Sequence, residues 1–235
     1  SVVPVPDYTP SPDYDTYPGM PDPTFHGNGR HLRSISSGVD YITDMKVLED
    51  GKVLAVGAID GWASVMRFKP GMHHLDPTFG ETSGYTRLNT PRYGREFLSM
   101  TTDDLGRIIA VGDYNIARFT SDGQHDDQFG TNGSTISWNL SGRDNYRELG
   151  YSVAIRKDAQ IVVTSASKVV HFDQSGKEVY FSNGASADDI TVVLHEDDST
   201  TTFSQVYYKS KSNPLYVTKA DGGYGNQSRE TYSFG

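Results

Sequence analysis

Apolar residues in this chain gather in short bursts, each cut off by Gly, Pro, Asp or Asn, and no stretch sustains a helical spacing between caps. The burst from Tyr41 to Leu48 runs into Asp50-Gly51, a hairpin signal because both turn residues tolerate positive φ. Lys52-Val53-Leu54-Ala55-Val56-Gly57 follows and is nearly all apolar, as a strand covered on both faces would be. Trp62-Ala63-Ser64-Val65-Met66-Arg67-Phe68 comes next and is ended by Pro70-Gly71. The same order predicts strands over 85–89, 97–102, 107–112 and 116–119. It predicts them again over 134–139, 151–155, 161–164 and 169–172, and over 190–194, 201–204 and 215–218. The expected fold class is all-β, built from small antiparallel meanders.

One string punctuates the meanders. Leu75-Asp76-Pro77-Thr78-Phe79-Gly80 is almost repeated as Pro21-Asp22-Pro23-Thr24-Phe25. Worn copies are Asp126-Asp127-Gln128-Phe129-Gly130, Val179-Tyr180-Phe181 and Tyr232-Ser233-Phe234-Gly235. Their phenylalanines lie 54, 50, 52 and 53 residues apart, a period that means stacked supersecondary units. A lone meander cannot bury both faces, whereas blades around an axis bury them against each other. The sequence therefore predicts a β-propeller-like ring of four four-stranded blades. The last unit stops at Phe234-Gly235 without a following strand, and residues 30–35 form a spare one. These residues are expected to complete the fourth blade, so that an N-terminal strand closes the ring and removes an exposed edge. A piece of a larger ring is the competing expectation. The predicted boundaries are 1–20 for a Pro/Tyr-rich arm or linker and 21–235 for the four-repeat domain. Seven of the eleven prolines fall in the first 23 residues, which favours extended chain there.

Asp76-Pro77-Thr78-Phe79-Gly80, Asp50-Gly51-Lys52, Ala55-Val56-Gly57, Ala110-Val111-Gly112, Arg67-Phe68 and Arg118-Phe119 together resemble the bacterial delta-sixty repeat, a β-propeller-type repeat. The resemblance covers residues 21–178 well and 179–235 weakly, since the last unit lacks both the Asp-Gly-Lys turn and the Arg-Phe pair. It implies a propeller-like fold in a secreted or surface-associated bacterial protein. It implies no activity and no catalytic residue.

The formal charge of −9 makes the chain a poor match for a phosphate backbone, so no nucleic-acid partner is expected. The absence of cysteine excludes disulfides, thiolate zinc sites and a Cys nucleophile. No apolar run is long enough for a transmembrane helix, and the first residues carry no signal-peptide pattern.

In a meander, alternate loops share a face. The hairpin turns and Phe motifs fall on one face and repeat their sequence; the loops of the other face do not repeat. Loops free to vary on a rigid scaffold commonly carry binding groups. Two of these, Pro91-Arg92-Tyr93-Gly94-Arg95-Glu96 and Gly142-Arg143-Asp144-Asn145-Tyr146-Arg147-Glu148, combine two arginines and a tyrosine before a glutamate. Arg92, Arg95, Arg143 and Arg147 are candidates for binding an oxyanion, whose geometry the guanidinium fork matches. Tyr93, Tyr146, Tyr114 and Trp62 are candidates for stacking on a sugar ring. The plain alternative is that Arg95–Glu96 and Arg147–Glu148 are surface ion pairs. His73-His74 point to opposite faces if they lie in a strand, and neither an EF-hand spacing nor a P-loop, Rossmann, kinase or Gly-x-Ser-x-Gly motif occurs, so no cofactor or metal is expected. The expected function is a non-enzymatic binding module, secreted or at the cell surface, recognising a glycan or protein. A propeller hydrolase or lyase, or a scaffold domain, is the alternative.

Overall fold

In a computed structural model, the protein is described over residues 34–71, 74–88, 95–112, 114–137, 151–165, 168–183, 189–194, 200–205, 215–220 and 227–232, the stretch from 182 onward by its backbone. All sixteen regular elements in these residues are strands. Sheet one is β1 (Tyr41–Val47), β2 (Val53–Ile59), β3 (Trp62–Phe68) and β4 (Tyr85–Arg87). Sheet two is β5 (Ser99–Thr102), β6 (Ile108–Val111), β7 (Asn115–Phe119) and β8 (Ser134–Ile136). Sheet three is β9 (Ser152–Ile155), β10 (Ile161–Ser165), β11 (Lys168–Phe172) and β12 (Glu178–Asn183). Sheet four is β13 (Asp189–Leu194), β14 (Thr200–Gln205), β15 (Leu215–Ala220) and β16 (Gln227–Tyr232). Each is an antiparallel meander in which spatial order follows chain order.

The sheets stack as the blades of a propeller. Their innermost strands meet in succession, β1 against β5, β5 against β9 and β9 against β13. Among the described residues, β13 and β1 form no comparable contact. The near-continuous apolar run of β2 is buried along its whole length, as a strand between two blades must be. Leu54, Val56 and Val65 of sheet one pack with Phe97, Met100, Ile108 and Phe119 of sheet two. Ile109, Val111 and Ile116 of sheet two pack with Val153, Val163, Val170 and Phe172 of sheet three. Adjacent apolar residues of one strand thus serve different interfaces, because successive side chains point to opposite faces.

Two expectations are corrected. Sheet four takes all its strands from its own unit, with Gln227–Tyr232 in the place expected for residues 30–35. Ile35 lies in a bend and packs on sheet one, and residues 30–33 lie outside the described residues. Val179-Tyr180-Phe181 is not a Phe motif but part of the outer strand β12, where Phe181 is exposed and pairs with Val170. The chain here passes from the Asp173–Gly176 turn directly into its outer strand, so no loop is left to seat a phenylalanine. Phe234 lies outside the described residues.

Candidate functional site

The repeated motif is a clamp between blades. Arg67 on β3 donates from Nε to Asp76 Oδ2 at 3.0 Å and from Nη1 to the Ser121 carbonyl of sheet two at 3.1 Å. Its guanidinium lies 4.6 Å from the centre of the Phe79 ring. Gly80 donates its N–H to the Asp122 carbonyl at 2.7 Å. One unit later Arg118 donates to Asp126 Oδ2 at 2.7 Å and to the Gln174 carbonyl of sheet three at 2.6 Å. It lies 4.9 Å over Phe129, and the Gly130 N–H reaches the Ser175 carbonyl at 2.7 Å.

Asp76 and Asp126 are both buried, and each pins its own loop: Asp76 Oδ1 accepts from the Thr78 N–H, and Asp126 Oδ1 from the Gln128 N–H, both at 3.1 Å. A second cation stands near each, Lys52 at 3.7 Å from Asp76 and Arg107 at 3.9 Å from Asp126. Burial pushes the Asp76 carboxyl up, but the Thr78 hydroxyl and amide and the Arg67 charge outweigh it and hold it at about 2. Both carboxylates serve as structural partners, which accounts for the Asp-Pro-Thr-Phe-Gly string without any chemistry on a ligand.

The third unit lacks this device. His171 stands on β11 where Arg67 and Arg118 stand on β3 and β7. It is buried edge-on to Tyr180, with ring centres 5.2 Å apart and Nδ1 3.4 Å from Gln160 Oε1. Burial and the Arg156 charge push its pKa down to about 4, against a smaller upward pull from Asp158.

The opposite end of the sheets carries the unrepeated loops. Trp62 opens β3 and Tyr114 precedes β7, each after the turn that follows β2 or β6; both are half-buried. Arg95, in the connection from β4 to β5, is exposed. Arg92, Tyr93, Arg143, Tyr146 and Arg147 lie outside the described residues. The neighbouring Glu96 is not a surface partner of Arg95. It is buried, and its Oε2 accepts from the Tyr41 hydroxyl at 2.6 Å. Beside it the Thr43 hydroxyl donates to the Phe97 carbonyl at 2.6 Å, and Asp44 Oδ2 accepts from the Met100 N–H at 2.9 Å. These bonds fix β1 against the entry to β5. Tyr41 and Glu96 are 55 residues apart, and no local motif marks their meeting.

A cleft of about 770 Å³ opens between the loops preceding β4 and β8, lined among others by Glu81, His125, Asp127, Asn132, Thr135 and Ile136. His125 Nε2 is 3.8 Å from Glu81 Oε1, its ring lies 5.1 Å from that of Phe119, and its enclosed Nδ1 has no hydrogen-bond partner. Nothing in the sequence pattern pointed to this cleft, because its residues come from two successive repeats. Among the described residues, no group of three or more His, Asp or Glu side chains is arranged to hold a metal ion, and no helix is long and apolar enough to cross a membrane.

No protein-family model matches the chain, and no curated protein matches it. Among solved structures, the chain is similar to a protein of unknown function from Bacteroides caccae, at 12% identity over 77% of this chain and 63% of that one, with a TM-score of 0.47. It is also similar to the Pan2 WD40 domain of Neurospora crassa, at 8% identity over 82% of this chain and 62% of that one, with a TM-score of 0.44. The chain thus spans about three-fifths of the length of each.

Proposed function

We propose that the chain is a non-enzymatic binding module whose ligand, an anionic or sugar-bearing molecule, is taken by the unrepeated loops at the end of the sheets opposite the clamps. A secreted or cell-surface setting belongs to the same proposal. The supporting observation is the division of labour between the two ends. The clamp end spends its arginines and aspartates on neighbouring blades. The other end leaves Arg95 exposed and Trp62 and Tyr114 half-exposed. Guanidinium and aromatic groups on one end of the sheets suit a carboxylated or sulfated sugar, since the fork meets the oxyanion and a ring stacks on the pyranose. The carboxylates with displaced pKa values, Asp40, Asp50, Asp76 and Asp173, are all lowered and sit in turns or clamps, where they serve the fold.

The test is a broad glycan array with the purified chain, followed by Arg95→Ala, Arg143→Ala and Trp62→Ala. Selective binding to acidic glycans, weakened about tenfold or more by at least one of these changes, is expected. A blank array, or binding unchanged in all three variants, overturns the reading.

A further inference from the structure

We propose that the cleft between the loops preceding β4 and β8 is a second binding site, for an uncharged sugar, one hydroxyl of which bridges His125 Nε2 and Glu81. The site is separate from the unrepeated loops and does not depend on the reading given for them.

Structural register singles out His125. Leu75 bridges Phe68 in sheet one, and His125 bridges Phe119 in sheet two, each just ahead of the clamp aspartate. Leu75 is a plain packing residue, set against the cluster of Val53, Ala55 and Phe68. In the next unit an imidazole stands in the same place, its ring 5.1 Å from that of Phe119. Leucine meets the packing need of this position, so the ring nitrogens are what the exchange adds.

The clamp brings Glu81 to this ring. The Thr86 hydroxyl accepts from the Glu81 N–H at 2.8 Å and donates to the Gly123 carbonyl of sheet two at 2.6 Å. Glu81 and His125, two residues beyond Gly123, are thereby held on facing walls of the cleft. One unit later Thr131 follows Gly130 where Glu81 follows Gly80, so the pairing of carboxylate and imidazole is not repeated among the described residues.

The two groups do not satisfy each other. His125 Nε2 is 3.8 Å from Glu81 Oε1, beyond hydrogen-bond reach. In a neutral imidazole one nitrogen carries the proton and the other accepts. Nδ1 is enclosed without a partner, so a proton there would be a buried donor with no acceptor. On Nε2 the same proton faces a carboxylate. A group seated between them must accept from the ring and donate to Glu81. A hydroxyl does both, at about 2.8 Å from each. An ammonium has no lone pair to accept with, and a carboxylate has no proton to donate.

The rest of the cleft selects among hydroxyl compounds. Its volume of about 770 Å³ is within the range of small-molecule sites. Asp127 adds a second carboxylate, and no lysine or arginine is among the described lining residues, so an anion is opposed. Asn132, exposed and with φ +51°, adds an amide. Leu88 and Ile136, the latter 44% exposed, supply an apolar wall for the C–H face of a sugar ring. A lone water has the same donor and acceptor as a hydroxyl, but it fills a small part of this space and uses none of that wall.

The test takes the full chain, isotope-labelled, with the methyl glycosides of glucose, galactose, mannose and N-acetylglucosamine as probes. NMR of the imidazole nitrogens in their neutral form is expected to place the His125 proton on Nε2. At least one glycoside is expected to shift the backbone amides of residues 130–136 to saturation. Its affinity should fall about tenfold or more in both Glu81→Ala and His125→Leu. His125→Leu installs the residue that sheet one carries at this place and should keep the urea midpoint of the parent, so lost binding there is not lost folding. Acidic-glycan binding by the unrepeated loops should persist in both variants, which keeps the two sites separately readable. A proton on Nδ1, no response to any of the four glycosides, or equal affinity in His125→Leu and the parent overturns the proposal. A response to methylammonium in their place overturns it in favour of a cation site.

Discussion

At the scale of single residues, the pair to compare is an arginine and a histidine at equivalent points. Arg118 is buried with a carboxylate partner, one arm on a backbone carbonyl and a ring beneath it, so its charge is compensated. His171 occupies the corresponding place on β11, buried beside a polar amide and an aromatic edge and near the Arg156 charge. A neutral imidazole fits there and an imidazolium does not, as the pKa of about 4 states. The sign follows. The unfolded histidine, with its ordinary pKa of 6.5, takes up a proton well before the folded one does. This contribution to stability is complete above pH 6.5 and is lost as the pH falls towards 4. His171→Gln keeps an uncharged polar side chain and removes the titration. The difference in unfolding free energy between parent and variant, followed by urea titration at several pH values, is expected to shrink from pH 7 to pH 4.5 by about 1–3 kcal/mol. A difference that is flat over this window would show that the folded ring takes up its proton as readily as the unfolded one.

At the scale of elements, the clamp turns a loop and a glycine on different blades into one unit. Gly123 satisfies two demands at once, a positive φ and room for the Phe79 ring. At Gly106 the first demand dominates, for its nearest neighbour would be Ser121 Cβ at 3.3 Å, a tight contact that a shift of a few tenths of an ångström relieves. Gly106→Ala is expected to cost about 1 kcal/mol for backbone strain. Gly123→Ala should cost about 3 kcal/mol, since the ring must also move. In a Phe79→Ala background the cost of Gly123→Ala should fall to that of Gly106→Ala, a coupling that a double-mutant cycle measures. Additive costs would mean that ring and glycine are independent.

The same elements show what could be read from the chain. The bursts of β2, β6 and β10 and their Asp-Gly or Asp-rich turns gave themselves away, because a doubly covered strand must be apolar throughout. The outer strands β12 and β16 escaped. They pair along one edge, so their residues, such as Glu178 and Phe181 or Gln227 and Arg229, need no apolar run. Phe181 looked like a motif residue only because the period fell on it. A clamp needs the buried Asp three residues ahead and the receiving glycine beyond, and Phe181 has Glu178 in the former place. The Tyr41–Glu96 bond and the cleft around His125 join residues from different repeats, and no spacing rule within one repeat could reveal them.

At the scale of the molecule, one register position tells how each blade is covered. Met45 pairs with Ala55, Met100 with Ala110 and Val153 with Val163, so the three side chains occupy the same place on the innermost strand of sheets one, two and three. Met100 is 9% exposed and Val153 8%, each pressed against the blade before it, while Met45 is 53% exposed. Ile42 and Val47 are also exposed on β1. The outer part of this face of sheet one is covered, with Phe68 and Val53 buried beside Ile35, and the inner part is open. A whole blade would cover both. The two methionines should therefore answer differently to a charge. Met100→Glu buries a carboxylate against sheet one and is expected to cost about 3 kcal/mol or more in urea unfolding. Met45→Glu puts the same group into water and should stay within about 0.5 kcal/mol of the parent. Equal losses would mean that another blade sits on β1 in solution, whether sheet four of the same chain or a second molecule. The oligomeric state of the Met45→Glu variant would then separate the two, because a closed monomer stays monomeric and an intermolecular contact falls apart.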